Sequence, residues 1–223
     1  MIELINEDAS LLSAISRFGI SFGFGDKTVK EACVAHNIDV KTFLAVVNFL
    51  SEGNVEITEI LDTISIETVI GYLKNAHIYF LDYKLPSIRT KLIEAVDSSD
   101  QSMAYKVVFM KFFDEYFDEV KKHMDYEDKT VFPYVIKLIR GNIQKNYRIA
   151  DFEDQHSDVD SKLIELKNIL IKYYPAKGIN YMLNDVLFDL LSCEKDLAMH
   201  NQVEDFFFVP YIEALEQNLT SGL

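Results

Sequence analysis

The chain has 223 residues, 49% of them hydrophobic, and a formal net charge of -14. That length is enough to bury a sizeable core, while the negative charge repels phosphate backbones and argues against nucleic acid as a partner. Eight glycines and four prolines among abundant helix-forming residues leave little material for a strand-rich fold, so the expected class is all-α.

The first 53 residues read as a small helical domain with helices over 9–18, 28–36 and 40–50. Gly19, the Gly23 to Gly25 loop and Asn37-Ile38-Asp39 separate them, and Asp39 is a natural N-cap for the third. Residues 54–66 form a polar-rich linker. From 67 to 223 the pattern changes to four long amphipathic stretches, 68–96, 102–138, 150–174 and 180–218, joined by short loops at 97–101, 140–147 and 175–178. Short connections between long helices predict an up-down-up-down four-helix bundle. Pro86, Pro133 and Pro210 fall inside these stretches, and each should mark a kink or a new helical segment.

Cys33 and Cys193 stand far apart, each in an apolar helical stretch, as reduced cytoplasmic thiols do. The N-terminus has no basic region leading into an apolar core, and no apolar run approaches the ~20 residues of a membrane-spanning helix. A cytoplasmic protein with no membrane partner is expected.

Four of the five histidines fall into a repeated pattern. His123 precedes Glu127 by four residues and Pro133 by ten; His200 precedes Glu204 and Pro210 by the same intervals. An i, i+4 pair projects from one helix face, so each motif presents an imidazole and a carboxylate to one point. His77 lies 46 residues before His123, and His156 lies 44 before His200. Two similar hairpins, each giving one His and one His-x-x-x-Glu, would converge four imidazoles and two carboxylates on a bundle core. One copy alone would read as a solvated pair; two copies with matching Val131-Phe132-Pro133 and Phe208-Val209-Pro210 endings point to a dinuclear metal site.

Two imidazoles per metal plus two bridging carboxylates leave room for an oxo or hydroxo bridge and an exchangeable ligand. A thiolate-free donor set of this kind favours two iron ions, with manganese or zinc as alternatives. His36 has no carboxylate at ligand spacing and reads as a helix-end histidine near the negative end of the dipole. Glu119 and Asp196 each lie four residues before a motif histidine, where a carboxylate either faces water or holds a metal-bound imidazole.

These residues resemble the hemerythrin HHE cation-binding domain, and nearly the whole chain resembles the di-iron iron-sulfur cluster repair family. That family joins a small N-terminal helical domain to a hemerythrin-like bundle. Its H-x-x-x-E-x-x-x-x-F-P signature falls on His123, Glu127, Phe132 and Pro133, and again on His200, Glu204 and Pro210, with Val209 in place of Phe. The third helix matches through Glu153-Asp154-Gln155-His156, and the first through His77-Ile78-Tyr79-Phe80 and Leu85-Pro86. Some members place the first ligand one residue closer to Leu-Pro, where this chain has Ile78.

The small domain resembles its counterpart through Gly25-Asp26-Lys27-Thr28-Val29 and Glu31-Ala32-Cys33. Where the family typically carries adjacent cysteines, this chain has Phe22-Gly23-Phe24, and Cys33 reads as a buried helix residue rather than a replacement. The resemblance implies a stress-response protein that restores damaged iron-sulfur proteins by donating iron or handling the damaging ligand. Two other roles fit the same centre: reversible binding or sensing of dioxygen or nitric oxide, and reduction of nitric oxide or peroxide. An oligomer is compatible with each.

Overall fold

The computed structural model describes residues 1–53, 61–97, 103–142, 147–153, 159–174 and 178–221. His156, most of the expected linker, and parts of the three expected loops lie outside them. Among the described residues every regular element is helical. Four helices open the chain: α1 (Ile2–Glu7), α2 (Leu11–Arg17), α3 (Val29–Ala35) and α4 (Val40–Glu52), followed by a 3-10 turn at Leu61–Thr63. The remaining helices are α5 (Ile66–Ile78), α6 (Leu85–Asp97), α7 (Met103–Tyr126), α8 (Phe132–Ile139), α9 (Ala150–Glu153), α10 (Val159–Tyr173), α11 (Tyr181–Val203) and α12 (Val209–Ser221). The helix α1 was not legible in the pattern: it buries no residue and has no side-chain cap.

Local chemistry sets the ends of the N-terminal helices. Thr28 and Glu31 form a capping box at the start of α3, each side chain bonding the other's backbone N–H. Asn37 ends α3 in the left-handed region, at φ 57, a conformation asparagine tolerates better than most residues, and Ile38 N–H closes onto the Cys33 carbonyl at 2.9 Å. Asp39 caps α4 as expected, accepting from the backbone of Thr42 at 2.7 Å. The buried Thr42 hydroxyl donates to Asp39 and accepts from the Ser65 backbone at 2.7 Å, tying the start of α4 to the start of α5.

The chain groups into two compact units, both discontinuous in sequence. One comprises Met1–Ala76, Phe132–Ala150 and Met199–Leu223. Its core is strongly aromatic: Phe18 packs on Phe43 and Tyr72 with centroids 4.9 Å apart, Phe49 on Phe206 and Phe207, and Phe132 on Phe208. Offset and tilted ring pairs of this kind contribute ~0.5–1.5 kcal/mol each beyond area burial.

The other unit comprises His77–Val131 and Asp151–Ala198. Its core is built from Leu85, Ile88, Leu92, Phe113, Leu166 and Leu190, all buried. Asp189 binds Lys84 at 2.8 Å and Lys91 at 2.6 Å. Burial pushes its carboxyl up, but the two ammonium groups outweigh this and hold it below its ordinary value. Arg89 and Asp114 form a two-pronged pair at 2.7 and 3.1 Å.

The three prolines of the long stretches share one local structure. A π-helical segment precedes each: Tyr79–Lys84 before Pro86, Glu127–Val131 before Pro133, and Glu204–Phe208 before Pro210. Each proline is the second residue after its segment. Proline has no N–H to give the carbonyl four residues back, and its ring clashes with that carbonyl. Here those carbonyls belong to Asp82, Lys129 and Phe206, all within the π segments, where i→i+5 bonding widens the turn. The expected kinks therefore take the form of π turns, and two of them begin on a motif glutamate.

Candidate metal centre

Both His-x-x-x-Glu motifs close as their spacing requires. His123 Nε2 lies 2.8 Å from Glu127 Oε1, and His200 Nε2 lies 3.1 Å from Glu204 Oε1. In each case the histidine sits on the last turn of a long regular helix and the glutamate opens the π segment, so the widened turn carries the carboxylate. The first hairpin adds a third group: His77 Nε2 lies 2.8 Å from Glu127 Oε2. The two oxygens of Glu127 thus face two different imidazoles, an arrangement a bridging carboxylate needs. At the position in question on the first helix, His77 is 1% exposed and Ile78 is 58% exposed, so it is the imidazole at 77 that points inward.

His77 and Glu127 are buried in one unit and His200 and Glu204 in the other, and all four are residue types that can ligate a metal ion. His123 joins through the other oxygen of Glu127, and the ring of Phe152 stacks on it at 6.1 Å with an interplanar angle of 11°. His156 lies outside the described residues.

The donor chemistry fits a metal. Glu127 and Glu204 are 0% exposed, and burying an ionised carboxylate without a compensating cation is costly. Imidazoles in their neutral form bring lone pairs but no charge, so a divalent ion would balance what such donors cannot. A cleft of about 360 Å³ is lined by Phe18, His36, Ser65, Tyr72 and Asn75 among others.

The two flanking acids part company. Glu119 pairs with Lys162 and is partly exposed, whereas Asp196 is buried one turn before His200. Sequence reasoning passed over Asp128, whose Oδ1 lies 3.3 Å from His77 Nδ1. A signal existed, since both motifs continue Glu-Asp, as Glu127-Asp128 and Glu204-Asp205. Neighbouring residues of a regular helix point about 100° apart, however, and would not be expected to reach one ring.

His36 takes the helix-end role: it is the C-cap of α3, and its Nδ1 donates to the Ala32 carbonyl at 2.8 Å. Cys33 is buried, and burial, with Asp39 nearby, pushes its thiol up to about 11. At pH 7.5 the reactive thiolate is then well under ~0.1% of the total. Iodoacetamide should label Cys33 in the native protein at least ~100-fold more slowly than in the denatured chain. Equal rates, read by mass spectrometry, would show a reactive thiol there.

Comparison with known proteins agrees with this chemistry. The chain is 20% identical over 209 residues to the iron-sulfur cluster repair protein ScdA of Staphylococcus haemolyticus, covering 91% of this chain and 92% of that protein. It is 25% identical over 162 residues to ScdA of Staphylococcus epidermidis, covering 70% and 71% respectively. No helix among the described residues is long and apolar enough to cross a membrane. The family model for the hemerythrin HHE cation binding domain matches residues 68–212, which takes in both motifs and His77. With its all-α hemerythrin-like bundle and additional helices, this chain belongs to the hemerythrin HHE cation-binding family.

Proposed function

We propose that this protein is a cytoplasmic iron-sulfur cluster repair protein whose working centre is a carboxylate-bridged pair of irons held by His77, His123, Glu127, His156, His200 and Glu204. The observation that carries the reading is Glu127, buried, with each oxygen 2.8 Å from a different imidazole. A carboxylate placed in that way favours two metals over one. The similarity to proteins named for cluster repair supports the biological role.

A bound iron pair would supply redox capacity and an exchangeable coordination position for a small ligand such as dioxygen or nitric oxide. The chain's own contribution is to hold that chemistry still. Glu127 and Glu204 provide the negative charge, the histidines provide neutral donors, and Phe152 against His123 shields one side from water. Cys33, buried and held protonated, offers no thiol step, so the repair role rests on the metal centre and on contact with damaged iron-sulfur proteins.

Anaerobic reconstitution with ferrous iron tests this directly. Saturation near two irons per chain is expected, with His36→Ala unchanged because that ring caps a helix instead. Incubation with an apo iron-sulfur protein should then transfer iron to it. Saturation at one or none would end the paired-metal reading; two irons with no transfer would end the repair reading.

A further inference from the structure

We propose that Asp128 is the positioning residue for His77: its Oδ1 accepts the Nδ1 proton, leaving Nε2 as the metal-binding lone pair beside Glu127. This rests on the metal reading above and names the residue that fixes one of its ligands.

A neutral imidazole carries one proton, and either nitrogen can hold it. For His77 to bind a metal beside Glu127, the proton must sit on Nδ1, because Nε2 is the atom 2.8 Å from that carboxylate. The opposite nitrogen lies 3.3 Å from the buried Asp128 Oδ1, close to hydrogen-bond distance. Ligating histidines commonly need a carboxylate or carbonyl in this place to set the tautomer and orient the ring.

The exposure of Asp128 suits the task. Its side chain is 37% exposed, yet Oδ1 itself is buried. One oxygen therefore works inward while the carboxylate keeps part of its hydration, so it avoids most of the penalty that Glu127 incurs.

The π turn explains how two consecutive residues reach one ring. In a regular helix Glu127 and Asp128 would diverge by about 100°. The segment Glu127–Val131 packs more residues into its turn, which narrows the angle between successive side chains and lets both carboxylates face His77. The widened turn thus supplies a metal-facing carboxylate and a proton-accepting one from adjacent positions.

The test uses the full-length protein loaded with diamagnetic Zn²⁺, comparing Asp128→Ala and Asp128→Asn with the parent. Asp128→Ala should weaken Zn²⁺ binding by ~10–100-fold in competition titrations. Asp128→Asn keeps an amide oxygen that accepts the same proton and should retain most of the affinity. Long-range ¹H–¹⁵N spectra should show His77 as the Nδ1–H tautomer in the parent and in Asp128→Asn, with a mixture or the other tautomer in Asp128→Ala. Parent affinity and an unchanged His77 tautomer in Asp128→Ala would overturn the proposal while leaving the metal reading intact. Failure of the parent itself to bind metal would overturn both.

Discussion

Changing Glu127 and Glu204 to alanine together is expected to abolish the coupled iron pair. Each is fully buried, and each opens a π segment at the end of a long helix, with an imidazole 2.8 to 3.1 Å away. Losing an outer partner of a metal ligand typically costs ~10–100-fold in affinity, so losing a direct, charged ligand shared by two ions should cost more. Iron content after desalting should fall from about two per chain to below one. Any iron that stays should lack exchange coupling in magnetic Mössbauer spectra. A coupled pair that survives the double change would show that other groups make the bridge.

Removing the metal from the parent protein should lower its thermal stability by on the order of 10 °C. A ligand present at 1,000 times its dissociation constant stabilises the folded state by ~4 kcal/mol, and for a chain of this size each kcal/mol moves the midpoint by ~2–4 °C. The carboxylates proposed to bind metal are costly when bare, because each would then be a buried negative charge with no compensating cation. The sign can be isolated with Glu127→Gln and Glu204→Gln made together. That variant should melt at about the same temperature with and without a strong chelator, and above the chelated parent. A parent whose melting curve ignores the chelator would show that metal does not hold this part of the fold.

The sequence made the motif geometry readable because an i, i+4 spacing has one meaning on a helix. The pairs His123–Glu127 and His200–Glu204 close for that reason alone. The capping role of Asp39 was equally local. What could not be read depended on partners distant in sequence or on departures from the ideal helix. Glu119 could have faced either way by periodicity, and only the position of Lys162 settles it on the flank. Asp128 was hidden because ordinary helical angles rule out what a π turn permits. Pro133 and Pro210 announced a disturbance, but proline signals a missing N–H without saying whether the helix will bend, stop or widen.

Each π turn holds one residue more than the α-helical turn it replaces, so the helix beyond it is out of phase with the helix before it by about 100°. From Met103 to Ile139 the chain is two amphipathic screws cut at Glu127–Val131, with the downstream apolar stripe of Val131, Phe132, Val135 and Leu138 set by that offset. A single-codon deletion of Lys129 or Thr130 would erase the offset while sparing every proposed ligand. The carboxylate and the stripe could then no longer both face inward, and whichever side kept its packing would rotate the other toward solvent. Such a deletion would be a subtler route to losing the centre than any substitution of a ligand.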